Sequence, residues 1–250
     1  MTIQLTDDLI WIEECYDLGR GAEPRNHKHV SVYLLQDGTN VLIDSGSFYH
    51  REAIRTGVEE AIGEESIDAL ILSHSDYPHS ANVREFAATS DDTELVASSG
   101  SPEIQGLPEA TKCEIGGSMT IAGRSFSFID PPLADRSHST WIYDHDSETL
   151  FTADGFGSRH RPGECAWTSR DFPDGTPTDA IFEFHRSELP WLRYVDPARL
   201  RSALEAIFEE YPVSLVAPIH GHPIAGDQLD RYLDGLIDAA DRITADGPIL

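Results

Sequence analysis

The sequence is poor in cysteine, in lysine and in long apolar runs. Its three cysteines, Cys15, Cys113 and Cys165, stand far apart in 250 residues, with no CxxC pair. Such an odd, scattered set excludes a disulfide scaffold, indicates a reducing compartment and argues against a sulfur-based zinc site. No run reaches eighteen apolar residues, so no membrane-spanning helix is expected. The opening MTIQLTDDLIWIEE carries neither a basic n-region nor an apolar h-region, so no secretory signal is read and the cytoplasm is the expected location. There is no P-loop and no GxGxxG fingerprint, and no flavin or NAD site is expected.

Charge is one-sided. Asp and Glu number 44 against 18 Lys and Arg, a net charge of −26, and only Lys28 and Lys112 are lysines. A surface this acidic repels phosphate backbones and anionic bilayers, which excludes nucleic acid and membrane as partners. The acids run along the whole chain rather than gathering in a tail. That spread suggests a halophilic protein, adapted to a salt-rich cytoplasm where screening shortens to about 3 Å at 1 M salt. With 40% hydrophobic residues the chain can bury a sizeable core. No repeat or linker interrupts it, so residues 1–250 are read as a single domain.

Periodicity supplies a coarse outline. Residues 9–14 (LIWIEE) read as a strand, and 29–46 as a hairpin whose turn holds Asp37-Gly38. Residues 50–63 read as a helix with Ile54, Val58 and Ile62 on one face. DALILS (68–73) suits a buried strand, followed by a helix near 80–88 and the strand ELVAS (94–98). Short β segments fill 112–154, and 155–180 reads as a long loop. A helix over 196–212 is expected to be capped by Asp196. VSLVAPI (213–219) is a strand. A closing amphipathic helix spans 226–243, with Leu229, Tyr232, Leu233, Leu236 and Ile237 facing inward. Strands then helices, twice over, suit an α/β (α+β) architecture of two packed sheets flanked by helices, an αββα sandwich.

Chemistry-bearing residues collect beside predicted strand ends. LILSHSDYPHSAN places His74, Asp76 and His79 within six residues, just past a buried strand. Asp135 and His138 precede a strand, Asp154 ends one before Gly155-Phe156-Gly157, and His220 ends another before Gly221-His222. Imidazole nitrogen and carboxylate oxygen suit zinc, iron or manganese. Each residue alone has a bland explanation as a cap, a turn residue or a loop histidine. Coincidence at four strand ends points instead to a common metal site.

The ordered set VLIDSG, LILSHSDYPH, DRSHST, LFTADGFG and APIHGH resembles the metallo-β-lactamase superfamily over about residues 9–243. Within it, the acidic residue of His74-x-Asp76, the TADGFG turn and the single His of IHG are similar to the β-lactamase-like domain of flavodiiron and oxygen-binding di-iron proteins. No flavodoxin-like stretch is read in these 250 residues. The resemblance implies a four-layer αββα fold and makes His74, Asp76, His79, Asp154 and His220 metal ligands, Asp154 as the bridge. Ungapped matching puts Asp135 at the middle ligand position, with His138 three residues later as the other candidate. Pro78 stands where the family carries an aspartate, so the second metal position loses a carboxylate.

Three states stay open on this reading. Two ions could bind, the second through His79, His220 and Asp154 with help from His138; one ion could bind through His74, Asp76, Asp135 and Asp154; or the site could be degenerate. A set rich in carboxylates favours iron or manganese over zinc, so the expected cofactor is iron, two ions, with oxygen, nitric oxide or peroxide as the small-molecule ligand. The alternatives are a metal-dependent hydrolase of an ester, thioester or phosphoester, and a non-catalytic sensor. Electrons for an oxidoreductase would come from a separate donor, and the resemblance implies a homodimer. Asp44 and His222 are expected to support the ligands by hydrogen bonds, and His160 to overhang the pocket. His27 and His29 are read as surface loop residues. Cys165 is read as a small apolar residue, and Trp141, Phe182 and Phe184 as core.

Overall fold

The computed structural model describes residues 1–19, 27–87, 92–98 and 110–246. The N-terminal half runs β1 (Thr2–Gln4), β2 (Leu9–Ile12), β3 (Cys15–Asp17), β4 (His27–His29), β5 (Val32–Gln36), β6 (Asn40–Ile43), α1 (Arg51–Ile62), β7 (Ala69–Leu72), α2 (Tyr77–Ser80), α3 (Val83–Ala87), β8 (Glu94–Ser98) and β9 (Thr111–Cys113). The second half runs β10 (Ser118–Ile121), β11 (Arg124–Ile129), β12 (Trp141–Asp144), β13 (Thr149–Phe151), α4 (Thr178–Glu188), α5 (Pro197–Glu210), β14 (Leu215–Ala217), β15 (Ile224–Ala225) and α6 (Leu229–Ala245).

Two sheets result. One is seven-stranded in the order β1-β2-β5-β6-β7-β8-β9, antiparallel to β6 and parallel from there. The other is six-stranded, β10-β11-β12-β13-β14-β15, with β13 and β14 parallel. β3 and β4 form a separate two-stranded ribbon.

Side-chain alternation separates three apolar cores and so makes four layers. Tyr33 and Leu35 of β5 point between the sheets, where Trp11, Ile43 and Ile71 meet Phe126, Phe128, Ile142 and Phe151. Val32 and Leu34 point the other way, onto Ile54 and Val58 of α1 and onto Val83 and Phe86 of α3. Burial on both faces explains why VYLL and ALIL read as unbroken apolar runs. On the far side, Trp141, Tyr143 and Leu150 pack under Leu200, Leu204, Leu233 and Leu236.

The outline expected from periodicity is largely present, with local differences. The helix expected near 80–88 is two short helices, α2 and α3: Pro78 sits in the first turn of α2 after the extended Asp76, and the break falls at Ala81-Asn82, where the Asn82 side-chain amide donates to the Ser45 and Ser47 carbonyls; Ala88 lies outside the described residues. The expected loop over 155–180 already contains the start of α4. Ile237 is only partly buried, while Ala239, Ala240 and Ile243 complete the inner face of α6. Asp196 caps α5, accepting a hydrogen bond from Ala198 N at 2.9 Å. His29 is fully buried at the end of β4 rather than on a surface loop. No helix among the described residues is long and apolar enough to cross a membrane.

Leu236 is fully buried and Asp238 is exposed on the same helix. Leu236→Ala should cost about 2–5 kcal/mol through lost burial and a residual cavity, whereas Asp238→Ala should stay within about 0.5 kcal/mol. Denaturant unfolding of both variants checks the contrast.

Candidate metal centre

Strand register brings the candidate residues to one edge. β6 and β7 are parallel with Ile43 opposite Ile71, so the chain leaves both in the same direction, into Asp44 and into Ser73-His74. β13 and β14 are parallel with Phe151 opposite Ala217, and Asp154 and His220 each lie three residues beyond that pair. Two separate βα-type crossovers thus deliver four chemical groups beyond the carboxyl ends of their strands, the usual place for a site in such sheets. Asp135 enters from the loop before β12.

Asp154 occupies the middle. Its Oδ1 lies 3.0 Å from His220 Nε2 and 3.3 Å from His79 Nε2, and its Oδ2 is 3.8 Å from His74 Nε2. His74 Nε2 is also 3.4 Å from Asp135 Oδ2. Donor atoms of His74, His79 and Asp154 fall within 4.8 Å of one another, as do those of His74, Asp76 and Asp135. The approaches of His74 are not satisfied bonds: its Nε2 is buried and has no hydrogen-bond partner.

The backs of the rings determine which nitrogen faces the centre. His79 Nδ1 donates to Asp44 Oδ2 at 2.9 Å, and His220 Nδ1 donates to the His29 carbonyl at 2.6 Å. Each leaves Nε2 directed inward with its lone pair available in the neutral ring. Asp44 is itself fixed by Ser73, whose backbone N–H donates at 2.8 Å and whose hydroxyl donates at 2.7 Å. Its backbone sits at φ 58°, a left-handed conformation that a non-glycine residue rarely adopts and that here aims the carboxylate under His79. Glycine is required where the two C-terminal loops touch each other and α4. A Cβ on Gly157 would lie 2.1 Å from Phe184 Cε1, and one on Gly221 would lie 2.8 Å from the Phe156 carbonyl.

Charge follows this geometry. Burial would raise Asp154, but His220 and His79 outweigh it and hold the carboxyl well below its ordinary value. Burial and the neighbouring Asp154 push Asp135 upward. Burial, with His79 alongside, pushes His74 well down, and burial also lowers His220 against the pull of Asp154. His79 is opposed by burial, yet Asp44 and Asp154 lift it to about 10. In the metal-free chain a proton on His79 Nε2 therefore stands where a cation would serve the same carboxylates.

The remaining expected residues separate into two groups. Asp76 is at the mouth, held by Arg136 at 2.7 Å, and Ser139 donates to Asp135 Oδ1 at 2.6 Å. His138 Nε2 pairs with the Ser75 hydroxyl at 2.7 Å and its ring is 6.5 Å from that of His74, so it stands beside the cluster rather than in it. Pro78, at the start of α2, offers no side-chain donor. His160 and His222 are buried but pack on His29, with ring centroids 4.0 Å and 4.6 Å away, in a separate histidine group. Arg136 and His185 were not anticipated. His185 is fully buried on α4, its Nδ1 donating to the Ile181 carbonyl at 2.8 Å and its Nε2 unpartnered. Arg136 adjoins Asp135 in sequence and could have been noticed there; His185 sits in an amphipathic helix and carries no such signal.

Comparison with known proteins agrees with this architecture. The profile of the metallo-beta-lactamase superfamily matches residues 25–197. The chain belongs to that superfamily. Among its relatives is an anaerobic nitric oxide reductase flavorubredoxin of Aeromonas salmonicida, 26% identical over 239 residues, covering 88% of this chain and 44% of that protein. An uncharacterised protein of Methanocaldococcus jannaschii is 23% identical over 231 residues, covering 88% and 56%. The chain thus spans about half the length of the curated relatives it matches. Among solved structures, the flavodiiron protein of Giardia intestinalis aligns with a TM-score of 0.75 at 17% identity, covering 98% of this chain and 60% of that one. Rubredoxin oxygen:oxidoreductase of Desulfovibrio gigas aligns with a TM-score of 0.76 at 17% identity, covering 96% and 62%. The fold is that of the β-lactamase-like core of these flavodiiron proteins.

The raised His79 pKa fixes the sign of a pH dependence. A group lifted from 6.5 to about 10 on folding adds stability that is full below about 6.5 and lost as pH climbs through about 10. Chelator-treated protein should lose thermal stability across that interval, and Asp44→Asn should shrink the loss. Melting curves at pH 6.5, 8.5 and 10.5 measure both.

Proposed function

We propose that this chain is a non-haem di-iron protein that binds or reduces a small oxidant such as O2 or NO. The observation that carries the reading is the convergence of donors: His74 Nε2 is buried without a hydrogen bond, while His79 Nε2 and His220 Nε2 face the same oxygen of the buried Asp154. Lone pairs and negative oxygens held together away from water need a cation between them. The donors fit two positions that share Asp154. His74, Asp76 and Asp135 would hold one ion. His79 and His220 would hold the other, left more open because Pro78 contributes nothing.

Three carboxylates make the set harder than an all-histidine one, which moves preference from zinc toward iron. Sequence relatives that include a nitric oxide reductase flavorubredoxin support the same choice of chemistry. Bound iron supplies the one-electron and oxidant-binding chemistry. The chain's own residues supply position. Asp44 and the His29 carbonyl hold the His79 and His220 tautomers, Ser139 orients Asp135, and Arg136 holds Asp76 at the mouth while offsetting its charge. Electrons would come from a separate donor, and two copies of the chain would form the working assembly. The compartment in this reading is the cytoplasm.

Elemental analysis of protein purified without added metal, paired with an anaerobic-to-aerobic optical spectrum, tests the proposal. About two irons per chain and an oxygen-sensitive absorption band are expected, and Asp154→Ala should lose most of that iron. Iron binding unchanged in Asp154→Ala would sink the site assignment. Two zinc ions at this site with oxygen-indifferent ester hydrolysis would replace the di-iron reading with a hydrolase.

A further inference from the structure

The spacing of the cysteines along the chain suggested no sulfur site, yet folding brings two of them together with two histidines. β3 and β4 pair antiparallel with Cys15 opposite His29 and Asp17 opposite His27. Because side chains alternate across a strand, Cys15, His27 and His29 share one face of this ribbon. The loop that follows Asp154 lies against that face. His27 and His160 exchange both backbone hydrogen bonds, at 3.1 and 3.2 Å, and His29 Nε2 donates to the Cys165 carbonyl at 2.8 Å. Side chains from the ribbon and the loop then interleave. Cys15 Sγ lies 3.2 Å from His160 Nε2, and His27 Nδ1 lies 3.2 Å from Cys165 Sγ.

We propose that Cys15, His27, His160 and Cys165 form a tetrahedral binding site for one zinc-like divalent ion, distinct from the Asp154 cluster. Their four donor atoms all fall within 4.8 Å of one another. Zinc at about 2.3 Å from sulfur and about 2.05 Å from nitrogen sets tetrahedral S···N edges of about 3.6 Å and an S···S edge of about 3.8 Å. The observed 3.2 Å contacts open to those edges with movements of a few tenths of an ångström. Two thiolates and two imidazoles are a soft set that selects zinc over the hard cations favoured by carboxylates. The set is also closed: four protein donors complete the coordination, which marks a structural rather than a catalytic ion.

Supporting contacts are in place. Glu13 accepts from Cys15 Sγ at 2.9 Å in the thiol form and would be released when the thiolate binds metal. The His160 ring is buried and stacks on His29 at 4.0 Å, which fixes its plane. The His27 ring meets it edge-on at 5.5 Å. Such an ion would clamp the ribbon to the loop that begins at Asp154. His29, on the same ribbon, gives its carbonyl to His220 Nδ1, so the clamp would also steady that ring.

Metal analysis of the wild-type chain and two variants tests this. Wild type should hold one tightly bound zinc per chain, Cys15→Ser/Cys165→Ser should lose it, and Asp154→Ala should keep it while losing iron. That pattern separates this site from the di-iron reading, since either can fail without the other. Cobalt substitution in the wild-type protein covers the case of a double variant that does not fold: a thiolate-to-cobalt charge-transfer band with tetrahedral d–d absorption is expected. Zinc content unchanged in the folded double variant, a cobalt spectrum without thiolate character, or a Cys15–Cys165 disulfide in protein purified anaerobically would each overturn the proposal.

Discussion

Groups that would repel or dehydrate one another are held face to face around Asp154, and most of the architecture serves to keep them there. A carboxylate buried among imidazole edges is expensive to assemble. The chain meets that cost with a rigid frame. Paired parallel strands deliver the loops, Asp44 and the His29 carbonyl lock the rings from behind, and glycines at 157 and 221 let the two C-terminal loops touch. Without a cation, a proton on His79 serves as the partial substitute that its raised pKa records. A proton and a metal ion would therefore compete for the same carboxylates.

The legible parts of the fold were those with one-dimensional signatures. The β5–β6 hairpin announces itself by a turn at Asp37-Gly38, where Gly38 takes φ 72°. α5 announces itself by Asp196-Pro197 and α6 by its apolar stripe. His74, Asp135, Asp154 and His220 were legible because each follows or precedes a recognisable β segment. What could not be read depended on three-dimensional pairing. β3 and β4 are three residues each, too short for either to carry a periodic signal. Cys15 and Cys165, 150 residues apart, looked unrelated. His185 stayed hidden because a buried histidine in an amphipathic helix has the same spacing as any core residue.

The acidic surface and the acidic site obey different rules. Outer carboxylates are solvated and screened, and pairs such as Arg201 with Asp234 at 2.6 Å contribute little each. Inside, Asp44, Asp135 and Asp154 are shielded from water, so ionic strength reaches them weakly. Salt can thus tune solubility and self-repulsion of a chain of net charge −26 without retuning the buried cluster.

The shared register of β13 and β14 limits how this chain can change length. Asp154 and His220 lie equally far beyond the paired Phe151 and Ala217. Inserting or deleting one residue between either pair member and its loop would slide one group past the other by about 3.3 Å, more than the 3.0 Å that separates them. Length variation among descendants of this sequence should therefore spare those two short stretches and accumulate in connections that bear no such partner.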